Sequence, residues 1–244
     1  MLSFVKQLIF PPHCAGCGSC LAPSFAGDPP LLCKECEAEW ERELRAQCPK
    51  CHADYPECDC MPVAMKRAGI AHFVKLVPYG EGANRRVARH MILSMKTASR
   101  TRLCAFLAGE LAGGVQRALE ECECAATDAV IAHLPRDQRT VRRYGVDQAK
   151  ELAMALSLQT GISHATLFRR KKRVKKQKTL SEKERMLNLV EAFALESTPT
   201  QKCVILVDDI VTTGASMAVP ARLLRTLGIT QVIAVAPAHT EKKK

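Results

Sequence analysis

Aromatic side chains make up only 5% of this chain of 244 residues, with a single tryptophan and three tyrosines. Reading single-stranded nucleic acid by base stacking requires a platform of such rings. Near the basic segments only Tyr144, Phe168 and Phe73 could supply one, and Phe168 reads as core. No run of about 18 apolar residues occurs, which excludes a spanning helix. The opening stretch MLSFVKQLIFPPHC interrupts its short apolar run with Lys6 and has no small-residue cleavage site. The expectation is therefore a cytoplasmic protein without membrane insertion. A Gly-Lys pair is also missing, which rules out the G-x-x-x-x-G-K-[ST] phosphate loop. GEGANR at 80–85 lacks the third glycine of the dinucleotide fingerprint.

What is present is unevenly distributed. Nine of the thirteen cysteines precede residue 61, and residues 1–60 hold five Lys/Arg against nine Asp/Glu. The net charge of +11 therefore resolves into −4 for this head and +15 for the remainder. Two chemistries meet near Met61, giving a cysteine-rich module over 1–62 and a basic domain over 63–244.

The head's cysteines come in close pairs: Cys14 with Cys17, Cys33 with Cys36, Cys48 with Cys51, and Cys58 with Cys60. Two cysteines three apart wrap one tetrahedral ion, and two such pairs close its shell. Sequential grouping puts Cys14, Cys17, Cys33 and Cys36 on one zinc and Cys48, Cys51, Cys58 and Cys60 on another. The second set depends on a tighter C-x-C half. Cys20 is spare, and His13 or His52 could substitute at either site. Disulfides are the competing reading, but a chain without an export signal sits in a reducing compartment. About sixty residues with few large hydrophobes bury too little surface to fold unaided, so zinc would supply much of the module's stability. A closed four-thiolate shell has no open position, which makes the role structural.

Beyond the head, apolar runs alternate with helical patterns. Strands are expected over 70–79, 128–135, 203–207 and 231–238, and helices over 81–98, 102–121, 147–161 and 215–228. Val87, Met91, Ile92 and Met95 share one face of the first helix, and Ser181 with Glu184 forms a capping box before another helical stretch. This alternation predicts an α/β fold, a parallel sheet with helices on both faces.

The stretch CVILVDDIVTTGAS at 203–216 carries the densest chemistry. A strand ending at Val207 would deliver Asp208 and Asp209 to the carboxyl edge of the sheet, where ligands collect in open parallel sheets. Thr212, Thr213 and Gly214 then turn into a helix beginning near Ala215. Successive N–H groups in such a turn, with the positive end of the helix, make a phosphate site to which the hydroxyls of Thr213 and Ser216 add donors. Gly214 allows close approach of the backbone. The paired acids repel phosphate but suit the hydroxyls of an attached sugar. Together these features describe a ribose 5-phosphate pocket.

VILVDDIVTTGAS resembles the phosphoribosyl pyrophosphate (PRPP) motif of type I phosphoribosyltransferases. With the cysteine-rich head, nearly the whole chain resembles the ComF family, the ComFC/GntX-like competence-associated proteins. Tyr79-Gly80 followed by Met95-Lys96 is similar to that family's Y-G…L-K-F segment. Pro135, Arg139, Arg142, Arg143, Gly145, Gln148 and Ala149 match its V-P-x-x-x-x-R-x-x-x-R-G-F-N-Q-A loop. Gln177, Leu180, Arg185, Asn188, Leu189, Ala192 and Phe193 match its Q-x-x-L…R-x-x-N-L-x-x-A-F segment. The chain departs from the family at Tyr144-Gly145-Val146-Asp147-Gln148, which replaces R-G-F-N-Q, and at Thr97, where the family has Phe. These departures bear on the pyrophosphate side and the nucleophile pocket. The resemblance implies a type I phosphoribosyltransferase-like domain with an amino-terminal zinc ribbon, PRPP bound with Mg²⁺ at Asp208, Asp209, Thr212, Thr213, Gly214, Ala215 and Ser216, and a pyrophosphate loop using Arg136, Arg139, Arg142 and Arg143.

RRKKRVKKQK at 169–178 holds eight basic residues in ten, within a protruding arm over 165–180. A solvated charge run is one reading. A hood closing over pyrophosphate is another, and contact with a nucleic-acid backbone a third. In the last, Arg169, Arg170, Lys171, Lys172, Arg173, Lys175, Lys176 and Lys178 would grip single-stranded DNA without reading its bases. The resemblance implies an accessory role in DNA uptake, with a DNA-uptake helicase as partner. The alternatives are a working phosphoribosyltransferase acting on an unidentified base, with a lysine at 175, 176 or 178 protonating pyrophosphate, and a PRPP-responsive zinc-ribbon adaptor.

Overall fold

The computed structural model describes residues 7–24, 27–80, 86–95, 100–137, 141–143, 145–171 and 192–240. Five parallel strands make one sheet: β1 (His72–Tyr79), β2 (Ala129–His133), β5 (Cys203–Val207), β6 (Ile210–Val211) and β7 (Gln231–Thr240). Their order is β1-β7-β5-β2, with β6 also paired to β7. A separate antiparallel ribbon joins β3 (Phe168–Arg170) to β4 (Phe193–Leu195). The helices are α1 (Lys34–Leu44), α2 (Val63–Arg67), α3 (Arg86–Ser94), α4 (Arg100–Glu121), α5 (Gln148–Thr160) and α6 (Ala215–Thr226).

The two-residue period of the strands sorts side chains between two cores. Cys203, Ile205 and Val207 face the layer formed by α3, α4 and α5, where Met91, Leu107 and Leu152 are buried. Val204 and Leu206 face Met65 of α2 and Met217 of α6. Helices thus cover both faces, the arrangement expected of near-continuous apolar strands. Every residue of β2 and β5 is buried.

The expected strands and helices are present with shifted ends: β1, β2 and α5 are shorter than expected, while α4 and β7 are longer. α5 starts after Asp147, whose side chain accepts from the Lys150 N–H, and stops at Gly161, where φ is 72°. The expected helix over 81–98 is seen as Arg86–Ser94; residues 81–85 and 96–99, including Lys96 and Thr97, lie outside the described residues. So do Ser181 and Glu184 of the capping box, and Gln177, Leu180, Arg185, Asn188 and Leu189 of the family segment.

One continuation matters for the site. β5 ends at Val207 as expected, but pairing along its path does not. After Asp208 and Asp209 the chain resumes pairing with β7 as β6, and the register is unchanged: Val207 lies opposite Val235 and Ile210 opposite Ala238. The long β7, which runs to Thr240, supplies the partners. On the other side β2 stops at His133, opposite Val207. The two acids therefore sit where the path of β5 outruns its neighbour, leaving one flank open.

The cysteine-rich head is docked by specific contacts. Glu43, buried at the end of α1, accepts from the N–H groups of Val87 and Ala88 at 3.1 and 3.0 Å. A carboxylate thus caps the first turn of α3, where orphan donors and the helix dipole favour negative charge. Trp40 packs against Phe106 of α4 with ring centroids 5.9 Å apart and planes tilted by 57°, and Cys14, Cys36 and Trp40 join the same core as the sheet. On the free edge of β1, the Phe73 N–H donates to Asp59 at 2.8 Å, which satisfies an edge donor that would otherwise invite pairing.

Candidate functional site

Both expected cysteine groups assemble as sequential sets. Cys14, Cys17, Cys33 and Cys36 bring their sulfurs within 4.8 Å of one another, and so do Cys48, Cys51, Cys58 and Cys60. Cys17 and Cys33 stand 3.9 Å apart, close to the edge of a tetrahedron built on zinc–sulfur bonds of about 2.3 Å. Backbone donors already face the sulfurs: the N–H groups of Gly16 and Cys33 point at Cys14, and that of Cys60 at Cys58. Such donors stabilise thiolate, the form a metal needs. No disulfide joins the cysteines of either set. Burial and the neighbouring thiols push Cys36 above the ordinary thiol range, while hydrogen bonds from Ser19 bring Cys17 down to about 6. The donor sets fit a thiophilic divalent ion such as zinc. Cys20 and His13 belong to neither set; they face each other at 3.6 Å.

The corner after β5 brings the carboxyl-edge residues together. Asp208 donates its own N–H to the Val235 carbonyl at 3.0 Å, which holds the strand path. Its carboxylate accepts from the Asp209 N–H at 2.9 Å and the Ser216 hydroxyl at 3.3 Å. Loss of solvent, then the nearby charge of Asp209, raises the Asp208 carboxyl well above the usual carboxylate range. Thr212 and Thr213 are exposed, and Gly214 is the N-cap of α6 at φ 73°. Only glycine takes that conformation without strain. A second reason is steric: a Cβ at 214 would lie 2.6 Å from Cγ of Met65 and 3.0 Å from Cβ of Pro62. The close approach that Gly214 permits is therefore made to α2 and the residue before it.

Arg136 comes from the loop after β2 and donates to the Asp209 carboxylate. The same loop is pinned by Asp147, which accepts from the Arg136 N–H at 2.9 Å while capping α5. Next to Asp147, Gln148 is 1% exposed, and neither atom of its carboxamide has a partner among the described residues. Buried amides are rarely left so. At the end of β2, His133 stacks on His164 with Nδ1 3.1 Å from Nε2. Burial holds His133 down to about 4 and lowers His164 as well. Sequence reasoning misses this histidine pair, although a histidine closing a fully buried strand is the available signal.

Other expected residues scatter. Arg142 and Arg143 are exposed, while Arg139 and Tyr144 lie outside the described residues. Of the basic segment, Arg169, Arg170 and Lys171 are described, and Lys172, Arg173, Lys175, Lys176 and Lys178 are not. The arm's root is the β3–β4 ribbon, where the Arg170 guanidinium lies 5.4 Å from the Phe193 ring centroid. Phe168 is 1% exposed, which fits a core role and rules it out as a stacking platform. A cavity of about 50 Å³ lies away from this corner, at the amino end of β1, lined by Cys58, Asp59, His72, Arg117 and Glu121 among others.

Residues 140–244 match the family described as phosphoribosyl transferase domain, a span that includes α5, the β3–β4 ribbon and the whole corner from Asp208 to Ser216. The chain is also similar to Competence protein F of Haemophilus influenzae, at 35% identity over 94 residues. That alignment covers 37% of this chain and 41% of the relative's length. Among the described residues, no helix is long and apolar enough to cross a membrane.

Proposed function

From the premise that residues 140–244 form a phosphoribosyl transferase domain, we propose that the chain binds PRPP or another ribose 5-phosphate ligand at the corner from Asp208 to Ser216. The observation that carries this reading is the left-handed Gly214 at the start of α6, flanked by exposed threonines and by two acids beyond the last paired residue of β2. The turn's N–H groups and the α6 dipole hold the 5-phosphate. The hydroxyls of Thr213 and Ser216 add donors. Asp208 and Asp209 accept from the ribose hydroxyls, Ser216 and Arg136 yielding their places as ligand enters. Arg136, once released from Asp209, serves pyrophosphate together with Arg139, Arg142 and Arg143.

Mg²⁺ belongs to this reading as the companion of pyrophosphate. Among the described residues, the groups of three or more metal-binding side chains are the two cysteine sets. The ion would ride on the ligand's own phosphates, with protein carboxylates touching the ribose.

The similarity to Competence protein F extends the proposal to an accessory role in single-stranded DNA handling during uptake, in the cytoplasm, beside a DNA-uptake helicase. The basic segment 169–178 would track the strand's phosphates without reading its bases.

Calorimetric titration with PRPP and Mg²⁺ tests the pocket. Wild type is expected to give saturable heat, and the Asp208→Asn/Asp209→Asn double variant none. A folded wild type without heat, or a double variant that binds equally well, overturns the assignment.

A further inference from the structure

The structure assigns to Lys75 the role of fixed counter-charge for a divalent metal held by Cys48, Cys51, Cys58 and Cys60. The inference rests on the metal reading of that cluster and is independent of the sugar-phosphate corner. Lys75 lies in the middle of β1 and is 1% exposed. Its ammonium donates to the carbonyl oxygens of Cys58 and Cys60, the second at 3.0 Å. It also stands 4.8 Å from the ring centroid of Phe73 and 5.5 Å from that of Tyr55.

Among the described residues no carboxylate pairs with it. Asp59, between the two cysteines, accepts from the Phe73 N–H with Oδ1, and its Oδ2 lies 3.5 Å from His72. Carbonyl dipoles and ring faces are weak compensation for an ammonium taken out of water. The missing negative charge is supplied by the cluster itself. Four thiolates around a divalent ion form a net dianion, and two of its cysteines present their carbonyls directly to Lys75. Metal and lysine thereby offset each other's burial, and each binds less well without the other.

The first cluster is an internal control. The partners of its sulfurs among the described residues include the N–H groups of Gly16, Cys33 and Cys36, the Ser19 hydroxyl, the Glu35 carboxyl and one another, and no cation is among these. A change at Lys75 should therefore act on one metal and spare the other.

The test challenges the zinc-loaded full-length chain with a chromophoric chelator. Wild type is expected to hold two ions per chain. Lys75→Met keeps the aliphatic stem and loses the charge; one ion is expected to weaken by at least about tenfold while the other is unchanged. Lys75→Arg keeps the charge and is expected to stay within about threefold of wild type. Both ions held as tightly in Lys75→Met as in wild type, or equal weakening in the two variants, overturns the proposal. A wild type that holds one ion overturns it as well, by removing the second site. Should Lys75→Met not fold, ¹⁵N-lysine labelling of wild type gives the answer. A slowly exchanging ammonium resonance is expected with metal and its loss on stripping; an unchanged resonance overturns the assignment.

Discussion

Arg136 closes an ion pair on Asp209 across 73 residues of sequence, in the gap where β2 has stopped and the path of β5 continues. Both side chains are largely enclosed, at 20% and 11% exposure. Asp208, one residue earlier, has no cationic hydrogen-bond partner among the described residues and accepts instead from Ser216 and the Asp209 N–H. Adjacent acids thus stand in opposite electrostatic situations.

Their asparagine variants should accordingly move stability in opposite directions. The Asp208 carboxyl is raised above its ordinary 3.8. Its contribution is therefore complete below about pH 4 and is lost as pH rises through the folded value. At pH 7 Asp208 costs stability, and Asp208→Asn is expected to gain on the order of 1 kcal/mol in urea unfolding. Asp209→Asn leaves the Arg136 guanidinium without its charge partner and is expected to lose about 1–3 kcal/mol. Equal shifts of the same sign would contradict this assignment.

His133 makes the acid limb of stability predictable. It titrates near 4 folded, against an ordinary 6.5. Well above pH 6.5 it is neutral in both states and its contribution is flat. As pH falls from 6.5 toward 4 the unfolded chain takes up the proton first, so the His133 contribution should drop by up to about 3 kcal/mol, against the opposite trend from Asp208. Chemical denaturation across that window measures the slope, and His133→Gln is expected to flatten it.

At Gly214 two penalties fall on one methyl group. Gly214→Ala forces a side chain into φ 73° and against Met65. The left-handed conformation costs roughly 1–2 kcal/mol and the overlap about 1–3 kcal/mol more. Met65→Ala alone is expected to cost about 2–5 kcal/mol, because Met65 is fully buried; in that background the added cost of Gly214→Ala should fall to the conformational part, a coupling readable in a double-mutant cycle of melting curves.

Salt dependence isolates the basic arm. Changing Arg169, Arg170, Lys171, Lys172, Arg173, Lys175, Lys176 and Lys178 to alanine is expected to weaken binding to an oligo-dT strand. It should also flatten the plot of log affinity against log salt by about 0.7 for each phosphate no longer neutralised. An unaltered slope would detach DNA from this segment.

How much of the molecule is legible in its sequence depends on how local each feature is. The four long strands and the helices between them announce themselves because apolar periodicity is written within a dozen residues. The cysteine sets are equally plain, since spacing alone restricts which thiols share an ion. Features that join distant segments are not legible. The resumption of pairing at Ile210–Val211 depends on how far β7 extends. Glu43 reads as an ordinary acid on α1 until Val87 and Ala88 arrive beneath it. Lys75 sits inside an apolar run, and its need for a counter-charge becomes visible only when the strand is seen covered on both sides.

The contact of Pro62 and Met65 with Gly214 ties the corner to the junction between the head and the basic domain. A fragment beginning just beyond Met65 would retain every acid, threonine and amide of the corner while losing the wall against which its glycine is set. Grafting the corner onto a foreign scaffold would likewise require those two neighbours to travel with it, and drift at either of them during divergence would have to be answered at the turn.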